Sequence, residues 1–236
     1  MKTKAVYPLL AFAAALTGNC LALTPVLEEF TSGKLDETHF YQYTIGNGKL
    51  VQKGEKLNFT ALSPTKDDFA SVELLTSYPG IAESWQMTLD LTNTSNAGKS
   101  AGCGFMICNT GDRRDRLFVD FYGVSGIKAG IIVNDKDAPV GKLSAKVGLP
   151  KVSIRVRFDA ATKLMAFSVS LTDKTEGYKW VKIGTFSPTG KGGNVRANWK
   201  MKADGVFGIQ LYGFGHSNKI KAGKLTLDNL AVTSIP

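Results

Sequence analysis

Polar and aromatic side chains recur at every second position of several apolar runs in this 236-residue chain. Such alternation places the polar members on one face of a β-strand and the apolar members on the other. Aromatic rings beside carboxylate, amide, guanidinium and hydroxyl groups suit sugars, because a ring packs on the C–H face of a sugar and polar groups hydrogen-bond its hydroxyls. The sequence therefore predicts a carbohydrate-binding face. Its candidate residues are Gln86, Asp90, Asp120, Tyr122, Arg155, Arg157, Gln210 and Tyr212, with Trp199 as an exposed aromatic platform in a loop.

The alternation continues through about a dozen runs, which are separated by Gly, Asn, Asp and Pro residues. Short alternating runs joined by turn residues are typical of an antiparallel β-sandwich or barrel. No segment after residue 22 keeps a helical spacing for three turns, so little helix is expected. Trp85 and Trp180 are predicted to lie in the core. The runs span residues 40–45, 56–62, 69–76, 85–91, 102–109, 117–123, 127–134, 152–158, 164–171, 178–186, 206–212 and 224–232.

The order of these runs and six short motifs resemble the concanavalin A-like lectin/glucanase superfamily, which includes LamG-like domains, and in particular its secreted bacterial members. The resemblance implies an all-β fold, an antiparallel jelly-roll β-sandwich of two packed sheets. It covers nearly the whole chain after residue 22. The motifs are Phe30-x-x-Gly33-x-Leu35-Asp36, Gly48-x-Leu50, Trp85-x-x-x-Leu89-Asp90-Leu91, Phe158-Asp159-x-x-Thr162-Lys163, Trp180, and Gly223-Lys224-x-x-Leu227-Asp228-Asn229-Leu230-x-Val232.

The stretch Phe-Val-Asp-Phe-Tyr-Gly at 118–123 bears on whether the chain is catalytic. In glucanases of this superfamily two glutamates flank an aspartate on one strand, and they act as nucleophile and acid. The stretch keeps the aspartate as Asp120 but has phenylalanine and glycine in place of the glutamates, and the Tyr-Phe-Lys-x-Gly-x-Tyr signature of jelly-roll alginate lyases is also missing. The resemblance thus implies a lectin-like, non-catalytic protein. The alternative is a diverged polysaccharide hydrolase or lyase that draws its carboxylates from different strands, such as Asp90 and Asp120.

Three aspartates are candidate ligands for a structural calcium, and no other cofactor is expected. Asp135 and Asp137 lie in the Asn-Asp-Lys-Asp run 134–137, whose oxygens suit Ca²⁺, although such runs also form turns. The resemblance implies a second candidate position, between the N-terminal segment and Asp228, because several carbohydrate-binding sandwiches hold calcium there.

Two cysteines after residue 22, Cys103 and Cys108, lie in one strand-like run. An offset of five places their side chains on opposite faces of a strand, with Cα atoms roughly 16 Å apart. A disulfide requires less than about 7 Å. Two buried free thiols are therefore predicted, and no disulfide.

The first 22 residues have the pattern of a secretory signal peptide. Lys2 and Lys4 precede an apolar stretch at 6–16, and small residues at the end permit cleavage near Ala22. Cleavage there leaves one domain, residues 23–236, in a secreted or periplasmic protein.

Two other interpretations of this segment are disfavoured. A lipid anchor on Cys20 is not expected, because Asn19 stands where bacterial lipoproteins carry a small residue. A membrane span is not expected either, because Pro8 interrupts a stretch that is already shorter than the roughly 20 apolar residues that span a bilayer.

The net charge of +9 gives a second indication of the partner, and most of the positive excess lies after residue 140. A positive field attracts acidic polymers. The expected partner is therefore a carbohydrate, in particular an acidic polysaccharide, or another anionic envelope polymer. Nucleic acid is not expected, because no reading motif accompanies the charge. A structural or adhesive envelope protein that binds another protein is the remaining alternative, and the sequence leaves the oligomeric state open.

Overall fold

The structure is a computed structural model that describes residues 23–76, 78–137 and 143–236. The described residues form seventeen strands and two short 3₁₀ turns, at Gly98–Ser100 and Gly123–Ser125. An all-β fold with little helix is thereby confirmed. In chain order the strands are β1 Val26–Glu28, β2 Phe40–Ile45, β3 Lys49–Gln52, β4 Leu57–Ala61, β5 Asp67–Leu74, β6 Trp85–Asn93, β7 Ala101–Asn109, β8 Asp112–Phe121, β9 Ile127–Val133, β10 Lys136–Asp137, β11 Ser144–Ala145, β12 Lys151–Asp159, β13 Leu164–Ser170, β14 Val181–Ser187, β15 Val195–Arg196, β16 Phe207–His216 and β17 Ile220–Ser234.

These strands form two packed sheets. The nine-stranded sheet has the order β15-β14-β13-β12-β6-β17-β4-β3, with β1 paired to β17. The eight-stranded sheet has the order β10-β9-β8-β7-β16-β5-β2, with β11 paired to β9. Among the described strands only β14 and β15 pair in parallel. Strands from distant parts of the chain, such as β6 and β17, lie side by side, as in the jelly roll that was predicted.

The core between the sheets is formed by the apolar members of the alternating strands. Along β6 the inward residues are fully buried and the intervening polar residues are partly exposed. Trp85 stacks on Phe158 of the neighbouring β12 with ring centroids 5.8 Å apart, and its ring lies 5.6 Å from that of Phe207 on the opposite sheet. The prediction that Trp85 is a core residue is therefore confirmed.

Alternation along β7 separates the two cysteines. Cys103 lies in the core, whereas Cys108 lies on the outer side of the strand; both are buried and neither is bridged. Burial raises the pKa of both thiols, that of Cys108 to about 11. Both therefore remain protonated at neutral pH.

The predicted signal peptide, residues 1–22, lies outside the described residues. None of the helical segments in the described part of the chain has the length and apolar character needed to cross a membrane.

Candidate functional site

The structure divides the predicted site residues between the two outer faces of the sandwich. The sequence treated them as one surface, which is wrong, because strand alternation defines inside and outside but not which sheet a strand joins. On the nine-stranded sheet the outward candidates are Gln86, Asp90, Arg155 and Arg157. On the eight-stranded sheet they are Asp120, Gln210 and Tyr212, with Tyr122 directly after β8.

Trp199 does not belong to either face. It was expected to be an exposed platform, but only 1% of its surface is accessible. Its ring packs against Phe186 at 5.0 Å between centroids, and its backbone amide donates to the carbonyl of Pro188. The segment after β15 thus places the Trp199 ring in the core.

The outer face of the eight-stranded sheet carries a groove with a volume of about 440 Å³. Its most prominent feature is a set of aromatic rings from β2, β5, β16 and β8 with the residue that follows it. Several of these rings remain partly exposed, which is what a sugar-stacking surface requires. The rings are those of Tyr41, Tyr43, Phe69, Phe118, Tyr122, Tyr212 and Phe214.

The polar centre of this groove is Asp120 with two tyrosines. The hydroxyl of Tyr212 donates to Oδ1 of Asp120 at 2.6 Å, and the hydroxyl of Tyr122 donates to Oδ2 at 2.9 Å. Tyr212, Gly104 and Asp120 are in register on β16, β7 and β8. Because Gly104 has no side chain, the tyrosine can reach across β7 to the carboxylate. A Cβ at this glycine would collide with the carbonyl oxygen of Val119, so the gap is fixed by close backbone packing.

Burial controls the ionisation of this centre. Only 7% of the surface of Asp120 is accessible, and desolvation raises its pKa above the usual 3.8, although the two hydroxyl donors act in the opposite direction. Desolvation and the nearby carboxylate raise the pKa of Tyr122 and Tyr212, so both hydroxyls remain protonated donors at neutral pH. The hydroxyls are thus fixed in position and orientation.

Most of the other ionic groups in the groove are paired with a charged partner, whereas Asp68 accepts hydrogen bonds from backbone amides. Glu73 accepts two hydrogen bonds from the Arg113 guanidinium, at 2.6 and 2.8 Å, and these bonds raise the pKa of the arginine. Asp67 lies 3.1 Å from the ring of His216. The remaining polar group of note is the amide of Gln210, which donates to Ser71 at 2.8 Å. The groove therefore offers an oriented amide and hydroxyls between rings, and its charges are largely compensated.

A glycine on β9 shapes one wall of the groove. Gly130 pairs with Phe118 on β8, and a Cβ at this glycine would collide with the phenylalanine ring. The ring therefore lies over β9 and borders the groove. The sequence analysis missed Phe118, Tyr41 and Tyr43 as site residues. The alternation within the run 40–45 was the signal that could have identified the two tyrosines.

The outer face of the nine-stranded sheet carries a different set of groups. The Arg155 guanidinium lies 4.7 Å above the ring of Trp180. The Trp180 ring also packs against the Tyr178 ring, with centroids 4.8 Å apart. The Tyr178 hydroxyl donates to Asp90, which also accepts a 2.8 Å hydrogen bond from Asn229. Trp180 was predicted to be a core residue; that prediction is wrong, because its partly exposed ring packs beneath an outward arginine instead.

This division also excludes Asp90 and Asp120 as a catalytic pair. Catalytic carboxylates of glycosidases are at most about 9.5 Å apart. Packed sheets are themselves about 10 Å apart, and these two side chains point away from each other on opposite outer faces. The two aspartates therefore cannot act on one glycosidic bond.

Two of the three candidate calcium ligands lie beside basic side chains in the structure. Ca²⁺ takes six to eight oxygen ligands. Asp135 accepts a 3.0 Å hydrogen bond from Arg116, and Asp228 lies 3.3 Å from the Lys56 ammonium. No group of three or more acidic, histidine or cysteine side chains with metal-binding geometry occurs within the described ranges. The side chain of Asp137 lies outside the described part of the structure.

Two packed antiparallel sheets with this strand order define a concanavalin A-like jelly-roll sandwich, and solved structures of lectins share it. Lectin UEA-II complexed with galactose matches with a TM-score of 0.58 at 12% identity, over 90% of this chain and 99% of that chain. Lectin I-B4 from Griffonia simplicifolia matches with a TM-score of 0.55 at 10% identity, over 90% and 100% of the two chains. The exoplasmic/lumenal domain of VIP36, in its Ca²⁺/Man2-bound form, matches with a TM-score of 0.53 at 9% identity, over 89% and 87%.

No protein-family model matches the chain, and no curated protein matches it in sequence. At identities near one in ten the structural likeness establishes the fold, and the residues of this chain must carry any functional conclusion.

Proposed function

We propose that this protein is a secreted, non-catalytic carbohydrate-binding domain, residues 23–236, and that the groove on the eight-stranded sheet is its binding site. The observation that carries this proposal is the set of partly exposed rings around a fixed Asp120, Tyr122 and Tyr212 centre. Rings supply stacking surface, and oriented hydroxyl and amide groups supply specificity for sugar hydroxyls. Structurally similar lectins bound to galactose and to Man2 give support from the same fold.

The pairing of charges within the groove favours a neutral sugar. Arg113 and Arg116 are both occupied by carboxylates, so neither offers a free cation to a uronate or sulfate. An acidic ligand would also approach the buried Asp120 carboxylate. The acidic polysaccharide expected from net charge is therefore not the ligand that we assign to this groove.

The same pairing supports a binding role over hydrolysis. An acid catalyst needs a carboxyl group free to transfer a proton. Both oxygens of Asp120 and both oxygens of Glu73 already accept hydrogen bonds from side chains. A substrate would have to displace these donors before either carboxyl could act.

A glycan array of neutral oligosaccharides, followed by calorimetry on the residues 23–236 protein, tests this function. Tyr43→Ala and Phe118→Ala, which remove partly exposed rings, should each weaken binding about tenfold, the scale of one stacking contact. Tyr178→Ala removes a similarly exposed ring from the opposite sheet and should leave binding unchanged.

Three outcomes would overturn the assignment. Retention of no neutral glycan would remove the proposed function. Loss with Tyr178→Ala but not with the groove variants would move the site to the other sheet. Release of new reducing ends or unsaturated products by the wild type, but not by Asp120→Asn, would establish the enzymatic alternative.

A further inference from the structure

The outer face of the nine-stranded sheet carries a basic cluster formed by Arg155, Arg157 and Lys182. The two arginines are outward residues on β12, two positions apart, so their Cα atoms are about 7 Å apart. Arg155 is paired in register with Ser168 of β13, which is paired in turn with Lys182 of β14. The three cations therefore lie on one surface that spans three adjacent strands.

Among the described residues this cluster forms no ion pair, although the charge of Arg157 contributes to the lowered pKa of the exposed Asp159 on the same strand. Within the described ranges no carboxylate lies within 4 Å of the charged nitrogens of these three residues, whereas Arg113, Arg114 and Arg116 on the other sheet are all paired. The Nε atom of Arg155 is enclosed and has no hydrogen-bond acceptor. Burial and the neighbouring Arg157 charge both lower the pKa of Arg155. An anion bound between the two guanidinium groups would relieve the repulsion between their charges.

The guanidinium of Arg155 is also held in a fixed orientation. Its central carbon lies 4.7 Å from the centre of the Trp180 ring, and the tryptophan contacts the Tyr178 ring on the same face. A guanidinium that packs on an aromatic ring keeps N–H groups that can bond a carboxylate or sulfate. The in-register neighbour of Arg155 on β6, Thr88, is partly exposed and carries a hydroxyl that can bond a sugar oxygen.

We propose that this basic cluster is a second binding site, and that it takes an anionic glycan, a polysaccharide that bears carboxylate or sulfate groups. This site lies on the opposite sheet from the neutral-sugar groove and does not depend on it. It also gives a location to the positive excess in the second half of the sequence. Carboxylate and sulfate groups both present a pair of anionic oxygens that a guanidinium can bind, and the experiment below separates them.

The test measures binding of heparin, polygalacturonate, double-stranded DNA and dextran to the residues 23–236 protein at low salt. Wild type should bind heparin, polygalacturonate or both, and dextran binding should not respond to changes in the basic cluster. Arg157→Gln should weaken binding of the anionic glycan by about tenfold, the scale of one charge-assisted contact. The side chain of Arg157 is exposed, so its loss should not disturb folding, and an unchanged thermal midpoint checks this.

The matched control is Lys221→Gln, which removes one exposed positive charge from β17, outside the basic cluster. It should change binding by less than about threefold, because a remote exposed charge contributes little. Binding of heparin alone identifies sulfate as the ligand group, and binding of polygalacturonate alone identifies carboxylate. Tyr43→Ala should leave anionic binding intact, which distinguishes failure of this site from failure of the groove.

Four results would overturn this site. The first is that the wild type binds neither anionic glycan, and the second is that Arg157→Gln binds as tightly as the wild type. The third is that Lys221→Gln loses as much affinity as Arg157→Gln. The fourth is that DNA binds as tightly as the glycan and is weakened equally by Arg157→Gln. The last result would indicate a surface that responds to charge alone.

Discussion

Tyr212→Phe removes one hydroxyl from the polar centre of the groove and leaves the ring in place. Its hydroxyl is buried and donates to the Asp120 carboxylate at 2.6 Å. A hydrogen bond to a charged group contributes about 1.5 to 3 kcal/mol. For a domain of this size a loss of about 2 kcal/mol lowers the melting temperature by roughly 4 to 8 °C. Urea denaturation at neutral pH should report the same loss as a lower transition midpoint.

Tyr122→Phe is the matched control, because its hydroxyl donates to the other oxygen of the same carboxylate at 2.9 Å. This tyrosine is only partly buried, so water can replace its hydroxyl, and the cost should stay below about 1 kcal/mol. In the Asp120→Asn background the cost of Tyr212→Phe should fall, because the acceptor is no longer charged. Equal costs for the two tyrosine variants, or an unchanged cost in the asparagine background, would refute this account.

The stability lost in Tyr212→Phe should depend on pH in a definite direction. The pKa of Asp120 is raised in the folded protein above 3.8, so ionising this group lowers net stability as pH rises through the folded value. The Tyr212 hydroxyl stabilises the ionised form and so opposes part of that loss. The difference in stability between wild type and Tyr212→Phe should therefore be fully present at neutral pH and should shrink as acid protonates Asp120. A difference that grows on acidification would contradict the assignment of the donor.

Two further predictions concern the thiol and the wall of the groove. The pKa of Cys108 is raised to about 11, so its thiol should react with a disulfide reagent at pH 8 roughly two hundredfold more slowly than a free cysteine. Unfolding in urea should restore the reaction. Fast labelling of the native protein would contradict the burial of this thiol. Gly130→Ala should displace the Phe118 ring and weaken neutral-glycan binding, whereas Gly80→Ala, where a Cβ has its nearest contact at 3.5 Å, should not; equal effects in calorimetry would show that the ring position is irrelevant.

Alternation of apolar and polar residues predicted the long strands, because each of them has one face in the core and one in water. The run 40–45 coincides with β2, and 152–158 lies within β12. The strands that were missed are β1, β3, β10, β11 and β15, which have two to four residues. So few residues cannot display a period of two, and these strands depend on a longer neighbour for their hydrogen bonds.

The two misplaced tryptophans show what local pattern cannot specify. Trp180 lies in the predicted run 178–186 but just before the start of β14, and Trp199 lies just after β15. The first is partly exposed under Arg155, and the second is buried against Phe186. Their environments are set by residues that are distant in the chain or that lie in another strand, so residue type alone gave the wrong result in both cases.

Net charge alone could not indicate which face of the sandwich would bind an anionic ligand. Glu73 on β5 meets Arg113 on β8 across the two strands β16 and β7 that lie between them, and Gly208 on β16 lies beside the Glu73 carboxylate. That long-range pairing neutralises the arginine in the groove. Among the described residues, no neighbouring strand places a carboxylate within ion-pair distance of Arg155 or Arg157. The arginines of the two sheets therefore differ in whether they are paired. Whether a cation is free to bind a ligand is therefore a property of sheet register, which is absent from any count of charges along the chain.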